Sequence, residues 1–280
     1  MTQGSILPLI VKFSLPLLMG NLFQQTYNLV DTAIVGQTLG AKALAAVGSS
    51  TSIQFLVMGF CIGMSLGFSI PVGQRFGAKD YSGMHRYEYA GGILAALFAG
   101  LVTLLTTVFC NHILHLLQVP EEIFHDAWVY LIIIFCEIPF TVMYNYLAGL
   151  MRAIGDSKTP FIYLAVASIL NIGLDFLFIV NVGMGVAGAA LATVLSQALS
   201  ALLCLYAVAR RYDVLHIEEE ARHYDFLEGR DLMGIGIPMG LQYSITAIGS
   251  MVMQSANNSL GTQFVSAFTA GTKIKLFLLA

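Results

Sequence analysis

Long apolar stretches, each about the length a bilayer demands, alternate along the chain with short polar breaks. Seven crossings and the start of an eighth are predicted, at 8–36, 44–72, 88–110, 125–150, 160–181, 186–209, 231–258 and from 264 onward. The breaks include "GQRFGAKDYSG" (73–83), "QVPEE" (118–122), "RAIGDSKTP" (152–160), "NVGMG" (181–185) and the charged run 210–231. Runs of this length have a helical, membrane-spanning reading. Composition agrees, since 57% of residues are hydrophobic and only 10% charged, against about 25% charged in soluble domains. The predicted class is an all-α polytopic membrane protein, an α-helical lobe of six spans followed by the first helices of a second.

Lys and Arg set the orientation. With the N-terminus inside, ten of them fall on inner segments, from Lys12 and Arg75 to Arg222 and Arg230, whereas only Lys42 lies outside. The N-terminus is therefore expected in the cytoplasm, in a multi-pass protein of the cell membrane. The opening segment is no cleavable signal, because its apolar run is too long. Cys61, Cys110, Cys136 and Cys204 lack metal-ligand spacing and read as small buried hydrophobes. No nucleic-acid signature appears.

The segment "LGAKALAAVGSSTSI" (39–53) aligns with "LGTQFVSAFTAGTKI" (260–274) at an offset of 221, and Pro16 aligns with Pro238 if one residue is inserted. The implied unit is six helices, arranged as parallel repeats of a transporter kind. The expected organisation is a first lobe over 1–209, a cytoplasmic linker over 210–230 and a truncated second lobe over 231–280, with about twelve helices in the intact protein.

Polar residues interrupt three of the apolar runs in helical register. Gln24, Tyr27, Asn28 and Asp31 stand at i, i+3, i+4, i+7 on the first span. Asn171 and Asp175 share a face of the fifth, and Thr193, Ser196, Gln197 and Ser200 repeat the pattern on the sixth. At about 1.5 Å per residue, Asp31 lies roughly 35 Å along its helix and Asp175 about 24 Å, while Thr193 lies about 12 Å in from the opposite side. All three levels are nearer the outer face. A carboxylate inside hydrocarbon costs roughly 2.5 to 3.5 kcal/mol or more. Two sharing one pocket cannot comfortably both stay charged, so the pocket should take up a proton or a small hard cation. Sodium is the metal that Asp31, Asn171, Asp175 and Thr193 would accept. Pro16 and Pro139 interrupt helices and permit bending. Asn145 either lines a cavity or bonds a neighbouring backbone group. Glu137 is an isolated mid-span carboxylate without an assigned role, as are Lys273 and Lys275 in the last span.

The segments "SLPLLMGNLFQQTYNLVDTAIVGQTLG", "GQRFGAKD", "LAGLMRAIGDSKTP" and "LNIGLDFLFI" resemble the hallmarks of the multidrug and toxic compound extrusion (MATE) family, over essentially the whole chain. The resemblance implies two six-helix bundles forming an antiporter that exports amphipathic, often cationic compounds while importing protons or sodium. It implies ion coupling at Asp31, Asn171, Asp175 and Thr193, with Tyr27 beside them. It likewise implies a bending role for Pro16 and a cavity role for Asn145, to which Gln24, Asn28 and Gln197 add the rest of their polar faces. No cofactor is implied beyond the coupling ion, and the complete protein is expected to work as a monomer in contact with membrane lipid.

A flippase for lipid-linked oligosaccharides, from the same fold superfamily, is the alternative. Its anionic cargo would favour cavity-facing Arg or Lys, which the cores of the first six spans lack. Enzymatic readings fare worse. The Gly-x-Gly-Asp signature of an intramembrane aspartyl protease is missing, since Asp175 follows "NIGL". The Asp-rich loops of a prenyltransferase are missing too.

Overall fold

The structure, a computed structural model, describes residues 6–217 and 219–279. The side chains of Lys12, Lys273 and Lys275 lie outside the described set. Among the described residues ten α-helices follow one another: α1 (Ile6–Thr38), α2 (Gly40–Ser49), α3 (Thr51–Gly77), α4 (Tyr81–Leu116), α5 (Glu121–Phe135), α6 (Ile138–Ala153), α7 (Lys158–Asp175), α8 (Val186–Arg211), α9 (Phe226–Asn258) and α10 (Thr262–Leu279). Among the described residues, six helical units are long and apolar enough to cross a membrane: α3, α4, α5 with α6, α7 with the turn after it, α8 and α9. Their surfaces agree with that solvent. Leu97, Leu101, Leu104 and Val108 stand exposed along one stripe of α4, whereas Ala95, Ala99 and Cys110 on the same helix are buried. An exposed apolar ridge on a helix of membrane-spanning length suits contact with hydrocarbon.

Two spans differ from the predicted ones. The second is two helices, because the hydroxyls of Ser49 and Ser50 donate to the carbonyls of Ala46 (2.8 Å) and Val47 (3.3 Å) and compete with the helical ladder. The fourth breaks between α5 and α6. Pro139 has no N–H to give and crowds the carbonyl four residues back, so the chain turns at Cys136 and Glu137. Cys136 is exposed at this break, not buried as its apolar run suggested. Pro16 behaves otherwise, for α1 continues through it.

The predicted repeat has a geometric counterpart. Gly40 and Gly261, 221 positions apart, both hold left-handed backbone (φ +85° and +97°) just where α2 and α10 begin, a conformation that favours glycine. Gly48 and Thr269, also 221 apart, meet face to face, and a Cβ at Gly48 would collide with the threonine side chain. Contact between equivalent positions is what a pseudo-two-fold axis produces. Beside it, α3 and α9 touch backbone to backbone through a pair of Gly-x-x-x-Gly segments, Gly63/Gly67 and Gly236/Gly240. A Cβ on Gly67 would come within 2.7 Å of the Gly236 Cα. Small residues at this spacing let membrane helices approach closely.

Polar ties gather at the two ends. At one, Ser157 Oγ donates to the Phe13 carbonyl (2.9 Å), Tyr212 Oη donates to Asp156 (2.5 Å), Tyr87 Oη donates to Asp231 (3.2 Å), and Arg86 pairs with Glu228 at 3.5 Å. At the other, Asn258 Nδ2 donates to the carbonyls of Leu117 (2.8 Å) and Ser49 (3.4 Å). The helices take up part of the expected linker, leaving only 212–225 between α8 and α9.

Candidate functional site

α7 packs between α1 and α8, which brings the three polar stripes face to face. Asp175 is completely buried at the last residue of α7, and Asn171 is 1% exposed one turn below it. With its amide oriented so that donors meet acceptors, Asn171 donates to Asp175 Oδ2 (3.3 Å) and accepts from the Thr193 N–H on α8 (3.3 Å). The Thr193 hydroxyl donates to the Ala189 carbonyl of its own helix (3.1 Å), which leaves its lone pairs available. Asp31 on α1 lies close enough to Asp175 to interact electrostatically with it.

A cavity of about 10 Å³, lined by Tyr27, Ser168, Asn171, Thr193, Ser196 and Gln197 among others, joins the stripes. That is room for roughly one water molecule or bare ion. Among the described residues, Asp175 Oδ1 and the Ser196 hydroxyl on the cavity wall have no hydrogen-bond partner. Buried polar atoms in that condition are costly until a proton, water or cation meets them. No three His, Cys, Asp or Glu side chains converge on a metal-like site among the described residues. A cation here would therefore rest on carboxylate, amide and hydroxyl oxygens, the donor set of a hard ion.

The chain folds locally to hold Asp175 in place. Directly after it, Phe176–Asn181 form one π turn, and such turns, which insert a residue into the helical ladder, gather at functional sites. Nothing in the apolar run "FLFIVN" announces it.

The other expected residues are placed as follows. Gln24 and Asn28 are half-buried on the face of α1 that carries Tyr27, and Asn28 Nδ2 donates to Gln25 Oε1 (3.3 Å). Gln197 lines the small cavity. Pro16 lies more than two turns before Gln24 on the same helix. Asn145 stands apart from the cavity lining, and its amide donates to the Thr141 carbonyl (2.8 Å).

Two residues of the fourth span join the cluster without having been assigned to it. Tyr130 and Glu137 lie close enough to Tyr27 to interact with it electrostatically, and Tyr130 also senses Asp31. Thr141 Oγ1 donates to Glu137 Oε1 (2.8 Å). Part of the signal was available, since Glu137, Thr141 and Asn145 are spaced four apart, one face of a helix, whereas Tyr130 stands on α5, across the break.

Comparison with known proteins places these observations. Residues 16–177 match the MatE family. The chain is 36% identical over 276 residues to the probable multidrug resistance protein YpnP of Bacillus subtilis (strain 168), a match covering 96% of this chain and 60% of YpnP. It superposes with a TM-score of 0.84 and 26% identity on an inward-facing multidrug resistance MATE family transporter of the MOP superfamily, covering 95% of this chain and 61% of that one. An outward-facing form of such a transporter gives the same TM-score and identity, over 97% and 61%. The chain thus spans about 60% of the length of these relatives.

Proposed function

Because this chain belongs to the MatE family of multidrug and toxic compound extrusion transporters, and is a multi-pass membrane protein, we propose that it forms the ion-binding lobe of a drug-exporting antiporter. The exported compounds are amphipathic and often cationic, and the counter-ion is a proton or sodium. The end that carries Arg75, Lys79, Arg152, Lys158, Arg210 and Arg211 faces the cytoplasm, following the positive-inside rule.

The observation that carries this reading is the link Asp175–Asn171–Thr193, buried across two helices with Asp31 near. Two carboxylates in low dielectric repel one another strongly when both are charged. Loading a proton or a sodium ion relieves that repulsion and supplies partners to the unmet oxygens of Asp175 and Ser196. Empty and loaded states thus prefer different packing of α1 against α7 and α8. The ion biases the lobe by its difference in affinity between those packings, and by no more. Drug release outward follows loading, and loss of the ion inward resets the cycle.

Export measured in vesicles of the complete protein, with a pH gradient and a sodium gradient imposed separately, tests the reading and names the ion. Asp31→Asn and Asp175→Asn are each expected to abolish export at normal expression. Full export in both variants overturns the assignment.

A further inference from the structure

On the outside of the lobe, α6 packs against both α4 and α8 and forms the floor of a cleft between them. The cleft encloses about 580 Å³, within the range of small-molecule sites. Its lining is largely apolar, with Tyr146 and Leu150 on the floor. It opens past Ala96 and Leu205, both exposed on the apolar surface. The segment after α8 contributes His216 and Arg222 to the lining.

Glu88 also lines this cleft, and it belongs to none of the groups described so far. It is 4% exposed, and its Oε2 has no hydrogen-bond partner among the described residues. The Tyr146 hydroxyl donates to the backbone carbonyl of Glu88 (2.6 Å), so it holds the main chain and leaves the carboxylate unserved. A lone acid in an apolar wall is expensive unless something donates to it.

We propose that this cleft binds one aminophospholipid of the leaflet on the Lys- and Arg-rich side, its ammonium on Glu88 and its phosphate on Arg222. The argument is complementarity. An acyl chain alone leaves Glu88 unmet. A simple cation meets Arg222 as well as Glu88, and a simple anion meets Glu88 as well as Arg222. A zwitterion with a primary amine satisfies both, and its chain leaves through the opening at Ala96 and Leu205. The amine matters because it carries N–H donors for a carboxylate, whereas a trimethylated head group has none. Guanidinium suits phosphate in the same way. The inference rests on membrane embedding alone and stands or falls apart from ion coupling.

The test is lipid retention by the complete protein. Wild type, Glu88→Gln and Arg222→Ala are reconstituted with phosphatidylethanolamine, phosphatidylcholine or phosphatidylglycerol, stripped with detergent, and their retained lipids counted by native mass spectrometry. Wild type should keep one phosphatidylethanolamine and hold it about tenfold more tightly than phosphatidylcholine, the scale of one charge-assisted hydrogen bond. Glu88→Gln should erase that preference. Arg222→Ala, an exposed position that does not threaten folding, should weaken both phospholipids alike. Equal retention of the two lipids by wild type overturns the proposal, as does a preference for phosphatidylglycerol or a gap that survives Glu88→Gln.

Discussion

Asn171 joins Asp175, one turn above it on α7, to the backbone of Thr193 on α8, and it does so with both ends of one amide. An amide suits this position because it gives to a carboxylate and takes from an N–H at once. Neither a hydroxyl nor an acid of similar size spans both contacts with the same charge.

Replacing Asn171 with Ala should therefore cost more than packing. Asp175 is fully buried, and it loses its donor while the site gains a void. We expect a loss of about 1–3 kcal/mol, the cost of stranding a buried polar group, read as a lower melting temperature of the purified protein. Asn171→Leu fills the void without restoring the donor and should be no better than Ala. Melting at the wild-type temperature in both variants would show that Asp175 has sufficient support elsewhere.

At Gly67 the expected effect is steric. A Cβ there sits 2.7 Å from the Gly236 Cα, and backbone cannot swing aside as a flexible side chain can. Gly67→Ala should force α3 and α9 apart at a cost of about 1–3 kcal/mol, typical of overpacking. Gly100→Ala on α4 is the control, for its Cβ would meet nothing within 4 Å. It should hold or raise stability by up to about 1 kcal/mol through helix propensity. Equal melting shifts in the two variants would contradict the close approach.

The spacing of polar residues in the apolar runs was enough to single out Asp31, Asn171, Asp175 and Thr193, because a buried polar group in hydrocarbon has so few neutral explanations. Helix positions were equally plain, since bilayer thickness dictates run length. What spacing does not carry is the local departure from regular helix. The π turn after Asp175 lies in an apolar run with no marked residue, and the bend at Ser50 depends on hydroxyls choosing their own backbone. Tyr130 and Glu137 went unassigned because the break at Cys136 and Glu137 puts them on either side of a turn, and only tertiary packing brings both near Tyr27. The Gly-x-x-x-Gly pairs were visible too, but which helix each one meets is a fact of tertiary packing. Glu88 lies near the end of a long helix, where a charge usually needs no explanation, and only the cleft beside it makes it unusual.

Asn258 offers a third prediction, at the end of α9. Its amide ties that end to the carbonyls of Leu117 and Ser49, and its own oxygen accepts from Gln254 Nε2 (2.8 Å). Asn258→Leu keeps the volume and removes the donors. Hydrogen exchange around residues 117–119 and 258–262 should quicken several-fold, in line with the roughly 0.6 to 2 kcal/mol that interhelical polar contacts contribute in membranes. Unchanged exchange at both segments would mean that apolar packing alone seats this end.

Asp156 provides the pH-dependent case, because it lies in the loop between α6 and α7. Burial pushes its carboxyl up, but donors from the Thr159 hydroxyl, the Tyr212 phenol and the N–H groups of Thr159 and Lys158 outweigh that and hold it below the usual carboxylate range. Tyr212 responds in the opposite sense, pushed up to about 12 by burial and then by its bond to Asp156. The sign follows from linkage. A carboxyl whose folded pKa is depressed binds protons more weakly in the native state, so its contribution is complete above the unfolded pKa and is lost as pH falls through the folded one. Asp156→Asn keeps a capping acceptor for α7 and discards the charge. The gap in melting temperature between wild type and Asp156→Asn should therefore be full at about pH 7 and close toward about pH 3, as the wild-type carboxyl protonates. Tyr212→Phe should reproduce part of the gap at neutral pH and little of it at acid pH. A gap that stays constant across that range would show that the ring of contacts at Asp156 works through shape and hydrogen bonding alone, with no share from its charge.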